Sequence, residues 1–429
     1  MPTAAQWKKA LQSGACDEAL RRLYVSDDPL PQRDRCLRLL EQFTRLYGER
    51  EEVRIFSAPG RTELGGNHTD HQQGRVLAAA VTLDKLAIVS PQKEGPVEIG
   101  SKSHPLAPLD WRDLTHYEKE RGHSPSMIRG VFAGLRQQGY AAGGFAGVTD
   151  SVVPTGSGLS SSAAFELLLG QIQNALYNDG AIPPVALARI GQYAENEYFG
   201  KPCGLMDQTA CAVGKVITID FKEVGHPVVR EVPFDLAAKG FALCISDTKG
   251  SHADLTDDYA AVRREMESVA EFFGKKVLRD VDEETFLKAI PEVRKVTGDR
   301  AVVRAIHFYN DSRRAGEIYE AIKADDFDRF LQLIIEGGHS SFEFNQNAYS
   351  IKNPQEQGVP LALAISQNVL NGRGAWRLQG GGFAGTIQAF VPLALLETYK
   401  NAIDAVFGAG SCHVLSVRNY GAVMVTPDM

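Results

Sequence analysis

No two of the six cysteines (Cys16, Cys36, Cys203, Cys211, Cys244 and Cys412) stand close enough to make a C-x-x-C pair. Scattered over 429 residues, they form neither a disulfide framework nor a zinc-finger spacing, which suits a reducing, cytoplasmic compartment. Long apolar runs are also missing: none approaches the roughly 18 residues of a membrane span. The opening MPTAAQWKK has no apolar stretch behind a basic one, so no signal peptide is expected. Basic charge is in deficit, with 46 Lys and Arg against 53 Asp and Glu, a net of −7. Without a basic excess or stripe, a nucleic-acid partner is not expected. An anionic substrate then needs a local positive site rather than a protein-wide field. Neither a Pro/Ser linker nor an internal repeat is visible. What remains is an ordinary globular composition, 44% hydrophobic and 23% charged, with apolar material for more than one core.

Glycine is the one residue in mild surplus, at 41, and the surplus is clustered. The clusters run from Gly60 to Gly74, Gly143 to Gly158, Gly200 to Gly214 and Gly372 to Gly385. Glycine clusters within a well-patterned chain mark tight turns and close backbone approach to a ligand. Between them the patterning predicts a helical N-terminal region over about 5–48 and strands at Val53–Ser57, Val76–Ser90 and Phe145–Val153. A helix is expected from Ser160 to Tyr177, its apolar stripe being Ala164, Leu167, Leu168, Ile172 and Leu176. Strands follow at Lys215–Phe221 and Phe241–Asp247, then a helix that Asp254 can cap, running through Tyr259 to Phe273. Helix dominates to about 370, and the end alternates strand and helix. Mixing without a βαβ rhythm predicts an α+β fold. Gly225, Pro227, Pro233 and Gly240 place a domain break near 222–240, giving domains 1–235 and 236–429, with 1–50 a helical extension.

Three segments have the look of phosphate binders. Each Gly-Lys pair, at 200, 214 and 274, lacks a following Ser or Thr, so the P-loop is absent. Gly380-Gly381-Gly382-Phe383-Ala384-Gly385 satisfies G-x-G-x-x-G, but the next residues read as a strand where a dinucleotide fold needs a helix. It is better described as a glycine-rich turn between strands. Pro154-Thr-Gly-Ser-Gly-Leu-Ser-Ser-Ser-Ala-Ala164 follows a strand and opens a helix. Its glycines and serines can offer free backbone N–H groups and hydroxyls to phosphates, with one Ser oxygen left for Mg²⁺. A plain Ser160 N-cap is the simpler alternative, although one cap does not explain a Gly-x-Gly-x-Ser-Ser-Ser run.

The turn after the first strand packs Arg61, Asn67, His68, Asp70 and His71 together. Such a cluster can hydrogen-bond several sugar hydroxyls; His68-x-x-His71 with Asp70 also leaves a metal reading open. At this point the pattern resembles a known family. Pro59-Gly-Arg61 followed by Gly66-Asn-His-Thr-Asp-His71 is similar to the galactokinase signature, P-G-R then G-E-H-T-D-Y, within the GHMP small-molecule kinases. Gly158 to Ala163 resembles that family's G-L-S-S-S-A loop, and Gly380 to Gly385 its C-terminal glycine-rich motif. Glu195 to Gln208, ENEYFGKPCGLMDQ, resembles the stretch holding an acidic residue and, twelve positions on, M-D-Q. Asp247-Thr248, His252, Tyr259 and Arg263-Arg264 resemble a further galactokinase segment; the likeness runs from about 54 to 427.

The resemblance implies a two-lobed fold, an S5-like mixed α/β domain followed by a ferredoxin-like α+β domain, with the active site in the cleft between them. It implies transfer of phosphate from ATP, with Mg²⁺, to the anomeric hydroxyl of galactose. By that match Asp207 takes the catalytic carboxylate role, as a base or as an orienting group, with Arg61 beside it. Gly156, Gly158, Leu159, Ser160, Ser161 and Ser162 would hold ATP, with Ser162 and Glu195 as Mg²⁺ ligands. Asn67, His68, Asp70, Gly204 and Tyr259 match sugar-contacting positions.

The chain departs from the pattern at Asn67 and His71, where the family has Glu and Tyr. An amide donates as well as accepts, which leaves room for a C6-modified sugar such as a uronic acid. Another kinase of the family, for galacturonate or N-acetylgalactosamine, and a non-catalytic sugar-sensing regulator stand as the alternatives; the regulator is disfavoured by the intact Ser160–Ala164 run and Asp207. Ser124 and Met127 replace an aromatic pair at the adenine, where Trp111 or Tyr117 could substitute. Ala384 replaces a glycine of the third motif, a mild change.

Overall fold

The computed structural model describes the chain except residues 102–105, 155–157, 224 and 251–254. Gly156, His252 and Asp254 therefore lie outside the described residues. The helices in chain order are α1 (Ala4–Gln12), α2 (Asp17–Tyr24), α3 (Leu30–Tyr47), α4 (Ser124–Gln137), α5 (Ser161–Tyr177), α6 (Pro184–Tyr193), α7 (Met206–Val213), α8 (Thr256–Phe272), α9 (Glu283–Thr297), α10 (Asp299–Lys323), α11 (Phe327–Ser340), α12 (Gly358–Leu370) and α13 (Leu396–Phe407). The strands are β1 (Arg54–Gly65), β2 (Arg75–Pro91), β3 (Val97–Gly100), β4 (Phe145–Ser151), β5 (Val216–Asp220), β6 (Val228–Val232), β7 (Phe241–Asp247), β8 (Ala375–Leu378), β9 (Thr386–Pro392), β10 (Cys412–Leu415) and β11 (Val423–Val425).

The strands form two sheets, and the fold is a two-lobed α+β architecture. Seven strands make the first, ordered β11-β1-β2-β4-β3, with β5 pairing β2 and β6. All its pairs are antiparallel except β3 with β4. The second sheet is β10-β7-β9-β8, antiparallel throughout. Part of the expected break at 222–240 is thus strand: β6 extends the first sheet. The last strand, β11, also returns to β1 of the first sheet.

Side chains alternate across a strand, and along its length β2 serves three cores. Val76, Ala78, Ala87 and Val89 join a core with Leu167 and Leu168 of α5, Ile190 of α6 and Phe132 of α4. On the opposite face, Leu77, Ala79 and Val81 pack with Ile318, Phe330, Leu333 and Phe390 of the second lobe. Leu86 and Ile88 pack instead against Trp7, Leu20, Leu23 and Phe43 of α1–α3. The alternation changes phase between Val81 and Leu86, alongside a register shift in β1 between Pro59 and Arg61.

The N-terminal extension is therefore the lid of a core. Without it Ile55, Leu86, Ile88, Val148 and Val425 would face water. At about 1.5–3 kcal/mol per large apolar side chain, the loss is on the order of 10 kcal/mol. That matches the whole stability of a typical domain, about 5–15 kcal/mol.

Candidate active site

The register shift in β1 aims Arg61 into the cleft. Gly60 is required at that shift because a Cβ there would lie 2.7 Å from the Leu159 carbonyl oxygen. Backbone contact continues through Arg61 N–H, which donates to the same oxygen at 3.1 Å. The Arg61 guanidinium grips Asp207 at both ends: Nε to Oδ1 at 2.7 Å and Nη2 to Oδ2 at 2.7 Å. Its Nη1 donates to the Gly158 carbonyl. Such a fork fixes geometry as well as charge.

Asp207 lies in the first turn of α7, where the helix dipole favours negative charge. Burial by itself would raise its carboxyl, but Arg61, the Ser160 hydroxyl and Lys201 outweigh this and hold it below the usual carboxylate range. Ser160 is the residue before α5, in the left-handed region at φ 58°, and makes no side-chain cap. Its hydroxyl donates to Asp207 instead. The simpler alternative, a plain Ser160 N-cap, does not hold, since the hydroxyl goes to Asp207.

Ser162, two residues on, donates to Glu195 Oε1 at 2.8 Å. Glu195 sits on a π-helical turn, Ala194–Phe199, the wider winding that recurs at functional positions. Lys201 Nζ reaches the same oxygen at 3.2 Å, and Gln208 Nε2 donates to Oε2 at 2.8 Å and to Glu166 Oε2 at 3.0 Å. Burial and the charge of Glu195 push the Glu166 carboxyl well up. Ser162 and Glu195 are hard oxygen donors, which fit Mg²⁺: that ion takes one or two protein oxygens and completes its shell with water and phosphate oxygens.

His68, Asp70 and Tyr259 converge on two glycine turns. A Cβ on Gly204 would stand 1.8 Å from Asp70 Oδ2, so any larger residue there would displace that carboxylate. His68, at φ 59°, donates from Nε2 to the Gly381 carbonyl at 3.0 Å. Burial pushes its imidazole down to about 4, so the ring is neutral at physiological pH. Tyr259 donates to Gly382 O at 3.1 Å and meets Phe383 edge-on at 5.3 Å. A Cβ at Gly381 would lie 2.5 Å from the Tyr259 ring. Gly380, at φ 64°, brings the glycine-rich turn against Gly158 of the serine loop.

Burial bears on several of these residues. Against the expectation of a sugar contact, Asn67 has no exposure, and its amide is taken up by Glu63, Gly380, Asn345 and Asn347. The Leu159 side chain packs in the apolar core, which leaves its backbone for the loop. Met127 is likewise a core residue. Trp111 and Tyr117 each have an arginine over the ring: Arg112 at 4.5 Å and Arg129 at 4.9 Å. Among the described residues the buried Trp111 Nε1 donor has no partner. Sequence reading passed over Lys201, Gln208 and Glu63. The first two lay inside the quoted ENEYFGKPCGLMDQ, but no spacing rule singles out residues that act by bridging.

Two family descriptions match the chain: the galactokinase galactose-binding signature over residues 41–91 and the GHMP kinases N terminal domain over residues 126–215. A curated galactokinase from Streptomyces coelicolor is 32% identical over 377 residues, covering 86% of this chain and 92% of the relative. One from Actinobacillus pleuropneumoniae is 30% identical over 374 residues, covering 85% and 91%. Among solved structures, that of Lactococcus lactis galactokinase complexed with galactose has the same fold. Its TM-score is 0.76 at 22% identity, covering 89% of this chain and 98% of that one.

Proposed function

The chain belongs to the galactokinase family and phosphorylates galactose with ATP, and we propose that Asp207 and Arg61 form its reacting centre at the sugar's anomeric hydroxyl. The observation that carries this reading is the Arg61 fork on Asp207, set between the serine loop and the two sugar-side glycine turns. A carboxylate held below its usual range is a weak base. Phosphoryl transfer through a loose transition state needs little activation of the nucleophile. Asp207 therefore orients and polarises the hydroxyl, accepting its proton late, while Arg61 holds the carboxylate ionised and lends positive charge to the departing phosphoryl group.

Ser162 and Glu195 hold Mg²⁺, which neutralises phosphate charge when bound. Gly158 to Ser162, at the start of α5, cradle the phosphates through backbone N–H groups, and Gly156 belongs to the same loop by its place in the sequence motif. His68, Asp70, Gly204 and Tyr259 bind the sugar, and Asn67 stands behind them. Because Asn67 is buried, its departure from the family's Glu does not argue for a different sugar. The galacturonate reading thereby loses its main support. We take 1–235 and 236–429 as the domains, with β11 crossing back to the first sheet. The six cysteines are unpaired, which suits a cytoplasmic enzyme. Among the described residues no helix is long and apolar enough to cross a membrane.

An ADP-release assay across galactose, N-acetylgalactosamine, galacturonate, glucose and arabinose tests the reading. Galactose is expected to give the highest kcat/KM; faster turnover of any of the others would overturn it.

A further inference from the structure

Asn67 has no freedom left. Its backbone N–H donates to Asp311 at 2.6 Å, and its carbonyl accepts from His307 Nε2 at 2.8 Å, both residues on α10. The side-chain amide is just as fully engaged. Nδ2 donates to both oxygens of Glu63, at 3.1 and 3.2 Å, and to the Gly380 carbonyl at 2.7 Å. Oδ1 accepts from Asn345 Nδ2 at 3.2 Å and Asn347 Nδ2 at 2.9 Å. Acceptors on one side and donors on the other fix which way the amide points. These partners lie up to 313 positions away in sequence, and all but Glu63 belong to the second lobe.

Charge around Asn67 is balanced. Glu63 pairs with Arg377 at 2.9 Å and Asp311 with Arg314 at 2.6 Å, and all but Arg314 are wholly or almost wholly buried. A carboxylate at position 67 would leave this buried group with one negative charge in excess and set it against Glu63.

We propose that Asn67 is a positioning residue, a latch that locks the sugar-side turn of the first lobe onto the glycine-rich turn of the second. A donor to the Gly380 carbonyl and a single carboxylate in this pocket are the conditions for closure. Through the latch, His68 is held in its left-handed conformation against Gly381, beside Asp70 and Gly204. The inference rests on the sugar reading of that turn.

The test is Asn67→Asp, alone and combined with Glu63→Gln, which restores one carboxylate facing one amide. The single variant is expected to raise KM for galactose roughly tenfold, with the KM for ATP moving less than about threefold, and to lower the unfolding midpoint. The double variant restores the charge balance but not the donor to the Gly380 carbonyl, so it is expected to recover part of the unfolding midpoint while the galactose KM stays raised. An unchanged galactose KM, an equal rise in the ATP KM, or no recovery of the unfolding midpoint in the double variant would overturn the latch. If Asn67→Asp does not fold, Asn347→Ala, which deletes one donor to Oδ1, should still raise the galactose KM about threefold; no change there counts against the proposal. Should the unaltered chain fail to phosphorylate galactose, the site reading falls by itself. The latch is then judged from the unfolding midpoints, low in the single variant and recovered in the double, and flat midpoints would refute it.

Discussion

Two clusters in this protein are built from the same parts. One is Arg61, Asp207 and Ser160 in the cleft. The other joins Asp84 to Arg35, Arg418 and Ser57 between the N-terminal helices and the first sheet. In both, guanidinium and hydroxyl groups surround one aspartate, and in both that carboxyl is held below the usual range against the pull of burial. A shifted pKa thus does not tell them apart. Access does. The Asp207 side chain is 26% exposed, while Asp84 is fully enclosed between two arginines, with Ser57 and Tyr24 also donating to it. Arg35 comes from α3 and Arg418 from the C-terminal segment, so the enclosed cluster ties both ends of the chain to β1 and β2. A constellation is a site when its geometry leaves room and unspent hydrogen-bonding capacity for something that is not protein.

The sharpest break in the comparison is Asp207→Asn. We expect turnover to fall roughly 10³-fold, with galactose binding by calorimetry and the unfolding midpoint close to the unaltered chain. The opposite pattern is expected of Asp84→Asn: a loss of about 3–5 kcal/mol in denaturant unfolding, with kcat little changed under conditions where the protein is folded. Near-normal turnover in the first, or a selective loss of kcat in the second, would merge the two clusters into one class.

Acid should act on both alike. Each aspartate has a folded-state pKa depressed below its unfolded value of about 3.9, so the native state binds fewer protons. The stability each contributes is present above that pH and lost as pH falls through the folded value. Unfolding curves between pH 5 and 2 should therefore be shallower for Asp84→Asn than for the unaltered chain; identical curves would show that Asp84 carries no such linkage.

The serines give the smallest effects. Ser160→Ala is expected to lower kcat about tenfold with little change in stability, since one hydroxyl on the reacting carboxylate is removed. Ser57→Ala should cost about 1–2 kcal/mol of stability and leave kcat alone. Kinetics and melting of the pair, measured side by side, check both.

Much of this arrangement was legible beforehand, where the information is local. The Gly-x-Gly-x-Ser-Ser-Ser run was read as the opening of a helix, and α5 begins at Ser161. The glycine-rich turn was read as lying between strands, and it joins β8 to β9. Residues 1–50 were read as helical without any sense of what they cover. Asn67 is grouped by its neighbours in sequence with the sugar contacts, yet its side chain is fully buried among protein partners. Its partners at 345, 347 and 380 stand 278 to 313 positions away, beyond the reach of any spacing argument.

By itself the sequence determined the elements, the glycine turns and the chemical inventory of the cleft, because helix period, strand alternation and turn chemistry act over a few residues. Only the tertiary structure decided which members of that inventory face the cleft. Arg61 and Asp207 come from segments 146 positions apart and meet because β1 shifts register where α7 begins. Asp84, with equal chemistry, is sealed off by α3, because side-chain direction and access depend on what packs against a residue from elsewhere in the chain.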